Sequence, residues 1–185
     1  MEFISAKEVA KKIKNNSVVA TGGFVGIGVA EEILTEIENY YLENKRPTNL
    51  TLIYAAGQGD GKDKGWNHLA HEGMVSKVIG GHWGLAPKLG TLALENKIQG
   101  YNLPQGVISH MFRDIASGKK GTISKIGIGT FVDPQLQGGK VNEVTTEEIV
   151  KDISIEGERY LYFKAPSKID FAILRGTLSD EDGNI

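Results

Sequence analysis

Apolar runs that stop at glycine constrain this chain more than any other feature. The first, Val18-Val19-Ala20-Thr21, ends at Gly22-Gly23 and passes through Phe24-Val25-Gly26-Ile27-Gly28 before a helical pattern begins near Val29. Glycine lets the backbone turn with positive φ and removes the Cβ that would hold a ligand off the main-chain amides. A helix starting at such a turn aims its free N–H groups at whatever occupies it. Comparable turns stand at Ala55-Ala56-Gly57-Gln58-Gly59, Gly80-Gly81-His82-Trp83-Gly84, Asn102-Leu103-Pro104-Gln105-Gly106 and Gly129-Thr130-Phe131. Ligands of open parallel sheets bind outside the carboxyl ends of the strands, so these five strand-to-helix turns are expected to line one crevice. Gly22-x-x-x-Gly26-x-Gly28 is not the dinucleotide fingerprint, and no Walker lysine follows it.

The periodicities between the turns alternate. Ser5-Ala6-Lys7-Glu8 reads as a capping box for a short helix ending near Lys14. Ile33, Leu34, Ile37, Tyr40 and Tyr41 recur at helical spacing from Val29 to Asn44, where Lys45-Arg46-Pro47 ends the run. Strands are predicted at Leu50 to Tyr54, at Val75 to Ile79 and around Gly100 to Asn102, with helices at about Ala86 to Asn96 and Val107 to Ser117. Beyond Gly121 the pattern turns to strands, at Ile126 to Ile128, Ile153 to Ile155, Tyr160 to Phe163 and Ile169 to Leu174. The expected class is α/β: an open, mostly parallel sheet with helices on both faces, and mixed strands towards the C-terminus.

With 185 residues the chain is expected to form a single domain, and its net charge of −2 gives no electrostatic reason to propose nucleic acid or a membrane surface. The absence of cysteine excludes a disulfide, a thiolate metal site and a thiol nucleophile. No signal peptide is read at Met1-Glu2-Phe3-Ile4-Ser5, and no apolar run approaches the roughly 20 residues of a membrane span, so the cytoplasm is the expected compartment. Asp182-Gly183-Asn184 is a hairpin-turn signal with only Ile185 behind it. It suggests a returning strand, and a second domain, on sequence outside this chain. An open edge near Ile169 to Leu174 is the corresponding expectation.

Taken together, Gly22-Gly23-Phe24-x-x-x-Gly28, Gly57-Gln58-Gly59-Asp60-Gly61-Lys62, Asn67-His68-Leu69-Ala70-His71-Glu72-Gly73, Gly80 to Pro87, Tyr101 to Gly106 and Gly129-Thr130-Phe131-Val132-Asp133-Pro134 resemble the first half of the family I coenzyme A transferases. The fused acetate or propionate branch is the most similar, and the resemblance runs through nearly the whole chain in order. Thr21 stands where the family's first signature usually has an apolar residue, and Ala30 where it usually has proline. The resemblance implies ping-pong acyl transfer, in which a glutamate attacks an acyl-CoA and carries CoA as a glutamyl thioester to an incoming carboxylic acid. That glutamate belongs to the family's second half. No segment here matches its motif, and Glu72 and Glu143 read as ordinary exposed carboxylates.

On this reading the chain is an N-terminal, alpha-type half acting on short-chain acyl groups, inactive alone. Its expected partners are acyl-CoA, a carboxylate, a beta-type half and further copies of itself; CoA is a substrate, and no cofactor is permanently bound. The expected substrate contacts are Gln105, Gly22, Gly23, Phe24, Gly57, Gln58, His82, Trp83, Thr130 and Phe131. Each has a structural alternative. Gln105 could cap its helix, the glycines could serve packing, and His82 and Trp83 could be wall residues. His68 and His71, three apart on an expected helix, lack a third metal ligand. Lys62-Asp63-Lys64 and Lys119-Lys120 could touch CoA phosphates or simply be solvated. A metabolite-sensing domain and a phosphosugar isomerase share this architecture and stay open at this level.

Overall fold

A computed structural model describes residues 2–185. Helix α1 (Ala6–Lys12) starts at the expected capping box, with the Glu8 amide donating to Ser5 Oγ and the Ser5 amide to the Glu8 carboxylate. Strands β1 (Val18–Thr21), β2 (Leu50–Tyr54), β3 (Val75–Gly80) and β4 (Gln99–Asn102) alternate with α2 (Glu31–Asn44), a 3-10 turn at Gly65–Leu69 and α3 (Pro87–Leu94). Then come α4 (Gln105–Ala116), β5 (Gly121–Ser124), β6 (Val150–Ile155), β7 (Glu158–Lys164) and β8 (Phe171–Ile173).

The main sheet is wholly parallel, in the order β4-β3-β2-β1-β8. Side chains alternate across it as a pleat requires. Val19, Leu52 and Val78 pack with Leu34, Ile37 and Leu89 of α2 and α3, while Ala20, Ile53 and Ile79 pack with Val107, Ile108 and Met111 of α4. Because β1 to β4 are laid side by side in one direction, right-handed crossovers put α2, the 3-10 turn and α3 on one face. The other face is left to α4 and a second, antiparallel sheet, β5-β7-β6. Its β6–β7 hairpin turns at Glu156-Gly157, both with positive φ.

The chain between β5 and β6 seals the β4 edge. Val141 donates to the Gly100 carbonyl (3.0 Å), Asn102 donates to Gly139 (2.8 Å), and the Gly100 amide donates to Thr145 Oγ1 (2.8 Å). This segment is pinned by buried Asp133, which accepts two bonds from the Arg159 guanidinium (2.6 and 3.0 Å) and one each from the Gly129 and Gln135 amides. Arg159, with those amides, holds the Asp133 carboxyl far below its ordinary range.

Three sequence expectations are corrected. Ile126 to Ile128 is a turn, the strand lying at Gly121–Ser124, so Gly129-Thr130-Phe131 follows no strand and opens no helix. The Ile123–Tyr162 pairing decides this register, a long-range contact invisible in local pattern. His68 lies in a 3-10 turn and His71 beyond it, not on one helix. Asp180 to Asn184 does form a turn, closed on the Asp180 carboxylate. Among the described residues no helix is long and apolar enough to cross a membrane.

Candidate functional site

The carboxyl ends of β1 to β4 converge as the turn pattern requires, and glycine allows the convergence. A Cβ at Gly81 would stand 2.1 Å from the Ala55 carbonyl oxygen and 3.1 Å from Cα of Gln105. One at Gly57 would lie 2.5 Å from the His82 ring. The turns after β2, β3 and β4 therefore touch at positions where only hydrogen fits. The turn after β1 joins them through Val25, whose amide donates to the Gly57 carbonyl and whose carbonyl accepts from Gly59, each at 2.8 Å.

The expected contact residues separate into two groups. Gln58 is buried and committed inwards: Thr21 Oγ1 donates to its Oε1 (2.5 Å), and its Nε2 donates to the Thr21 carbonyl (3.3 Å). A hydroxyl at position 21 thus holds a side chain that sequence reading places in the crevice. Trp83 is half-buried and reaches over Gly100, where a Cβ would meet its ring at 3.0 Å. By contrast Phe24, His82, Gln105, Thr130 and Phe131 are exposed. Gln105 is the first residue inside α4, Pro104 holds the cap position, and no side chain caps the helix. The helix-cap alternative for Gln105 is thereby removed.

Gly22 and Gly23 lie at the sheet's switch point, where β1 has β2 on one side and β8 on the other. A hollow of about 490 Å³ opens there between Val29 to Ile33 and Leu174 to Gly176. Gly23 has φ +127, and a Cβ on it would strike Val29 at 2.8 Å. α2 does not present a bare N-terminus to this hollow, because Glu31 and Glu32 occupy its first turn. The Glu31 carboxylate is committed within the protein, accepting from the Gly65 amide (3.0 Å) and lying 3.0 Å from His68 Nε2. Phe24 and Ile27 exchange backbone bonds of 2.9 Å across a tight tip, and there Val25 adopts φ +56, a strained value for a β-branched residue.

The two histidines of the Asn67 to Gly73 motif serve α2. His68 Nδ1 lies 2.5 Å and His71 Nε2 2.7 Å from the two Glu38 oxygens, and His68 Nε2 lies 3.0 Å from Glu31. Partial burial works against a charged His68, but bonds to Glu38 and Glu31 prevail and raise its pKa. Asp60 accepts from the amides of Lys62, Asp63 and Lys64, which fixes the loop before the 3-10 turn and lowers the Asp60 pKa to about 2. Lys119 pairs with Asp114 (2.8 Å), and Glu72 with Lys97 (3.2 Å).

Comparison with known proteins agrees with this fold. The family model for coenzyme A transferase matches residues 3–185. The chain is 44% identical, over 184 residues, to a caffeate CoA-transferase of Acetobacterium woodii, aligning over 100% of its own length and 35% of that protein. A crystal structure of the acyl-CoA transferase YdiF from Escherichia coli O157:H7, described as a thioester complex with CoA, superposes with a TM-score of 0.90 at 41% identity. It covers 94% of this chain and 34% of the other. The alpha subunit of an acetoacetyl-CoA:acetate/butyrate CoA transferase of Clostridium acetobutylicum is 28% identical and matched over 99% of this chain and 74% of its own. The chain thus spans about a third of the first two relatives and most of the third.

Proposed function

This chain belongs to the coenzyme A transferase family, and we propose that it is the N-terminal half of a short-chain acyl-CoA:carboxylate CoA-transferase. A complementary half, fused or separate, supplies the glutamate. The observation that carries the reading is the meeting of three strand ends at Gly57 and Gly81, which leaves Gln105 exposed beside them at the start of α4. The acetate/butyrate alpha subunit supports both the division into halves and the short acyl groups.

In this mechanism the glutamate attacks the acyl-CoA carbonyl and the CoA thiolate leaves, forming an acyl-glutamyl anhydride. The thiolate then attacks the glutamyl carbonyl, releasing the first acid and leaving a glutamyl-CoA thioester. The second acid discharges that thioester by the same steps reversed. This chain positions the reactants. The amide of Gln105 holds the incoming carboxylate in line for attack, a role in which orientation supplies the rate. His82, Phe24, Thr130 and Phe131, all exposed, supply further substrate contacts on this reading; the Phe131 carbonyl accepts from Gly139, whose own carbonyl accepts from Asn102 at the end of β4. Trp83 and Gln58 act from behind as supports. The protein works in the cytoplasm as an oligomer, with CoA as substrate and no resident cofactor.

The test is CoA exchange between acetate and a short acyl-CoA by the complete protein and by the 185-residue chain. Exchange is expected only with the complementary half present. In the complete protein Gln105→Ala is expected to raise KM for the acid more than KM for the acyl-CoA. Robust exchange by the 185-residue chain alone, or unchanged kinetics for both substrates, would refute the respective part.

A further inference from the structure

Two carboxylates of α2 hold His68 at once, and a histidine satisfies both in only one protonation state. Glu31, Thr35 and Glu38 recur at helical spacing on the stripe of α2 that meets the 3-10 turn. His68 Nδ1 lies 2.5 Å from Glu38, and His68 Nε2 lies 3.0 Å from Glu31. Ionised carboxylates only accept, so both ring nitrogens must donate, which requires the imidazolium. A neutral ring keeps one N–H and turns a lone pair towards the other carboxylate. Glu38 keeps its contact, being the closer and the less exposed (20% against 36%) and fixed also by His71 Nε2 at 2.7 Å. Glu31 is released, and Thr35 Oγ1, 3.4 Å from Nε2, is placed to donate to the lone pair instead.

The second oxygen of Glu31 accepts from the amide of buried Gly65 (3.0 Å). Gly65 lies so close against Gln58-Gly59 that a Cβ on it would stand 2.7 Å from Gly59 Cα and 2.8 Å from the Gln58 carbonyl carbon. Gly59 donates to Val25 and Val25 to Gly57, at 2.8 Å each. A proton on His68 is thereby connected, through Glu31 and Gly65, to the turns after β1 and β2. A released Glu31 has somewhere to go, because it lines the hollow at the switch point together with the exposed Arg175. The remaining charged groups around the 3-10 turn are engaged or exposed. On α2, Glu36 accepts from Asn39 while Glu32 and Glu43 are exposed. Lys88, the one charged residue of α3, pairs with Asp63 (2.9 Å), and Glu72 pairs with Lys97 (3.2 Å). Asp60 is occupied by three amides, and Lys62 and Lys64 are exposed.

We infer that Glu31 and His68 are positioning residues for the transfer reaction, and that protonated His68 keeps the crevice turns in place by holding Glu31 on the Gly65 amide. The effect on transfer rests on the proposed function, which puts substrate against these turns; the hold on Gly65 does not. Burial works against the charged ring, but the bonds to Glu38 and Glu31 outweigh it and raise the His68 pKa, so release comes above the ordinary histidine value of 6.5.

The experiment follows amide hydrogen exchange of peptides covering residues 57 to 65 in the complete protein from pH 6 to 9, corrected for the intrinsic rate. In parallel it measures kcat/KM for acetyl-CoA with propionate as acceptor. In the parent, corrected exchange is expected to rise roughly tenfold over this range, as one buried amide loses a charged acceptor. Glu31→Gln keeps an acceptor for Gly65 and offers an N–H to neutral His68, so its exchange is expected to stay low and flat. His68→Gln is expected to be flat, and Glu31→Ala to exchange fast at every pH. The ratio of kcat/KM in the parent to that in Glu31→Gln is expected to fall roughly threefold from pH 6 to 9. No rise in the parent, or a rise retained in either His68→Gln or Glu31→Gln, would overturn the positioning role while leaving the transferase reading standing. A flat kcat/KM ratio beside the expected exchange would overturn its link to transfer. The expected exchange in a complete protein that transfers no CoA would support the hold on Gly65 and refute the proposed function.

Discussion

The two sides of the crevice solve different problems. On the β1–β2 side nearly every polar group is consumed within the protein: Thr21 and Gln58 bond each other, Val25 stitches to Gly57 and Gly59, and Asp60 gathers three amides. On the β3–β4 side Gln105 and Gly106 stand exposed at the head of an uncapped helix, with space beside them. The first side is a frame, and the second carries the proposed ligand contact, Gln105, free of partners within its helix cap. Residue type does not distinguish them, since each side has a glutamine set among glycines.

The contrast is broken most severely at Gly59. With φ +141, and with a Cβ falling 2.2 Å from the Leu85 carbonyl and 2.8 Å from that of Lys64, Gly59→Ala is expected to cost about 3 kcal/mol or more. Denaturant unfolding measures it. At Gly106 the same substitution is expected to leave stability unchanged or slightly higher. Next comes the pair of glutamines. Thr21→Val leaves the buried Gln58 oxygen without its donor and is expected to cost about 1–3 kcal/mol. Gln105→Ala, on an exposed residue, should stay within about 0.5 kcal/mol and show its effect in KM for the acid. Equal loss of stability in both variants would erase the distinction between frame and ligand-facing side.

Two smaller effects sharpen it. Val25→Gly removes the strain of a β-branched residue at φ +56, offset by the entropy of glycine, and is expected to stabilise by about 0.5 kcal/mol. A loss of stability would show that Val25 contributes packing that outweighs its strain. His68 gives the frame a pH dependence. Its folded pKa is raised above its ordinary value of 6.5, so its contribution is fully present below 6.5 and is lost as pH rises through the folded pKa. Thermal melts from pH 6 to 9 are expected to show a small decline that His68→Gln removes. A decline retained in the variant would assign it to another group.

Much of the frame was legible in sequence because parallel strands are buried on both faces and read as apolar runs. Val18 to Thr21 and Leu50 to Tyr54 are such runs, and Val75 to Gly80 is one interrupted by Ser76 and Lys77; small residues end each. Gly121-Thr122-Ile123-Ser124 is not, since only Thr122 in it is buried, and its partner β7 lies about 40 residues on. For the candidate site, the sequence shows which residues occupy the turns but not how they are oriented. Nothing local to Gln58 indicates that it turns towards Thr21, 37 residues earlier. Gly106 is the converse case: its glycine is plain in sequence, but the lack of any neighbour to require it appears only in three dimensions.

The order of strands also dictates a history. As the chain leaves the ribosome, β2, β3 and β4 can each be laid against the strand made just before, over a single crossover and at less entropic expense than a longer return carries. β8 cannot. It must return to β1, where the Val18 amide waits for an Asp170 carboxylate 152 residues away. Until β8 is made, β1 is therefore the bare margin of a half-built sheet, and its pairing with β8 spans the longest sequence separation in that sheet. The margin exposed longest to other nascent chains is thus the strand whose end carries Gly22 and Gly23.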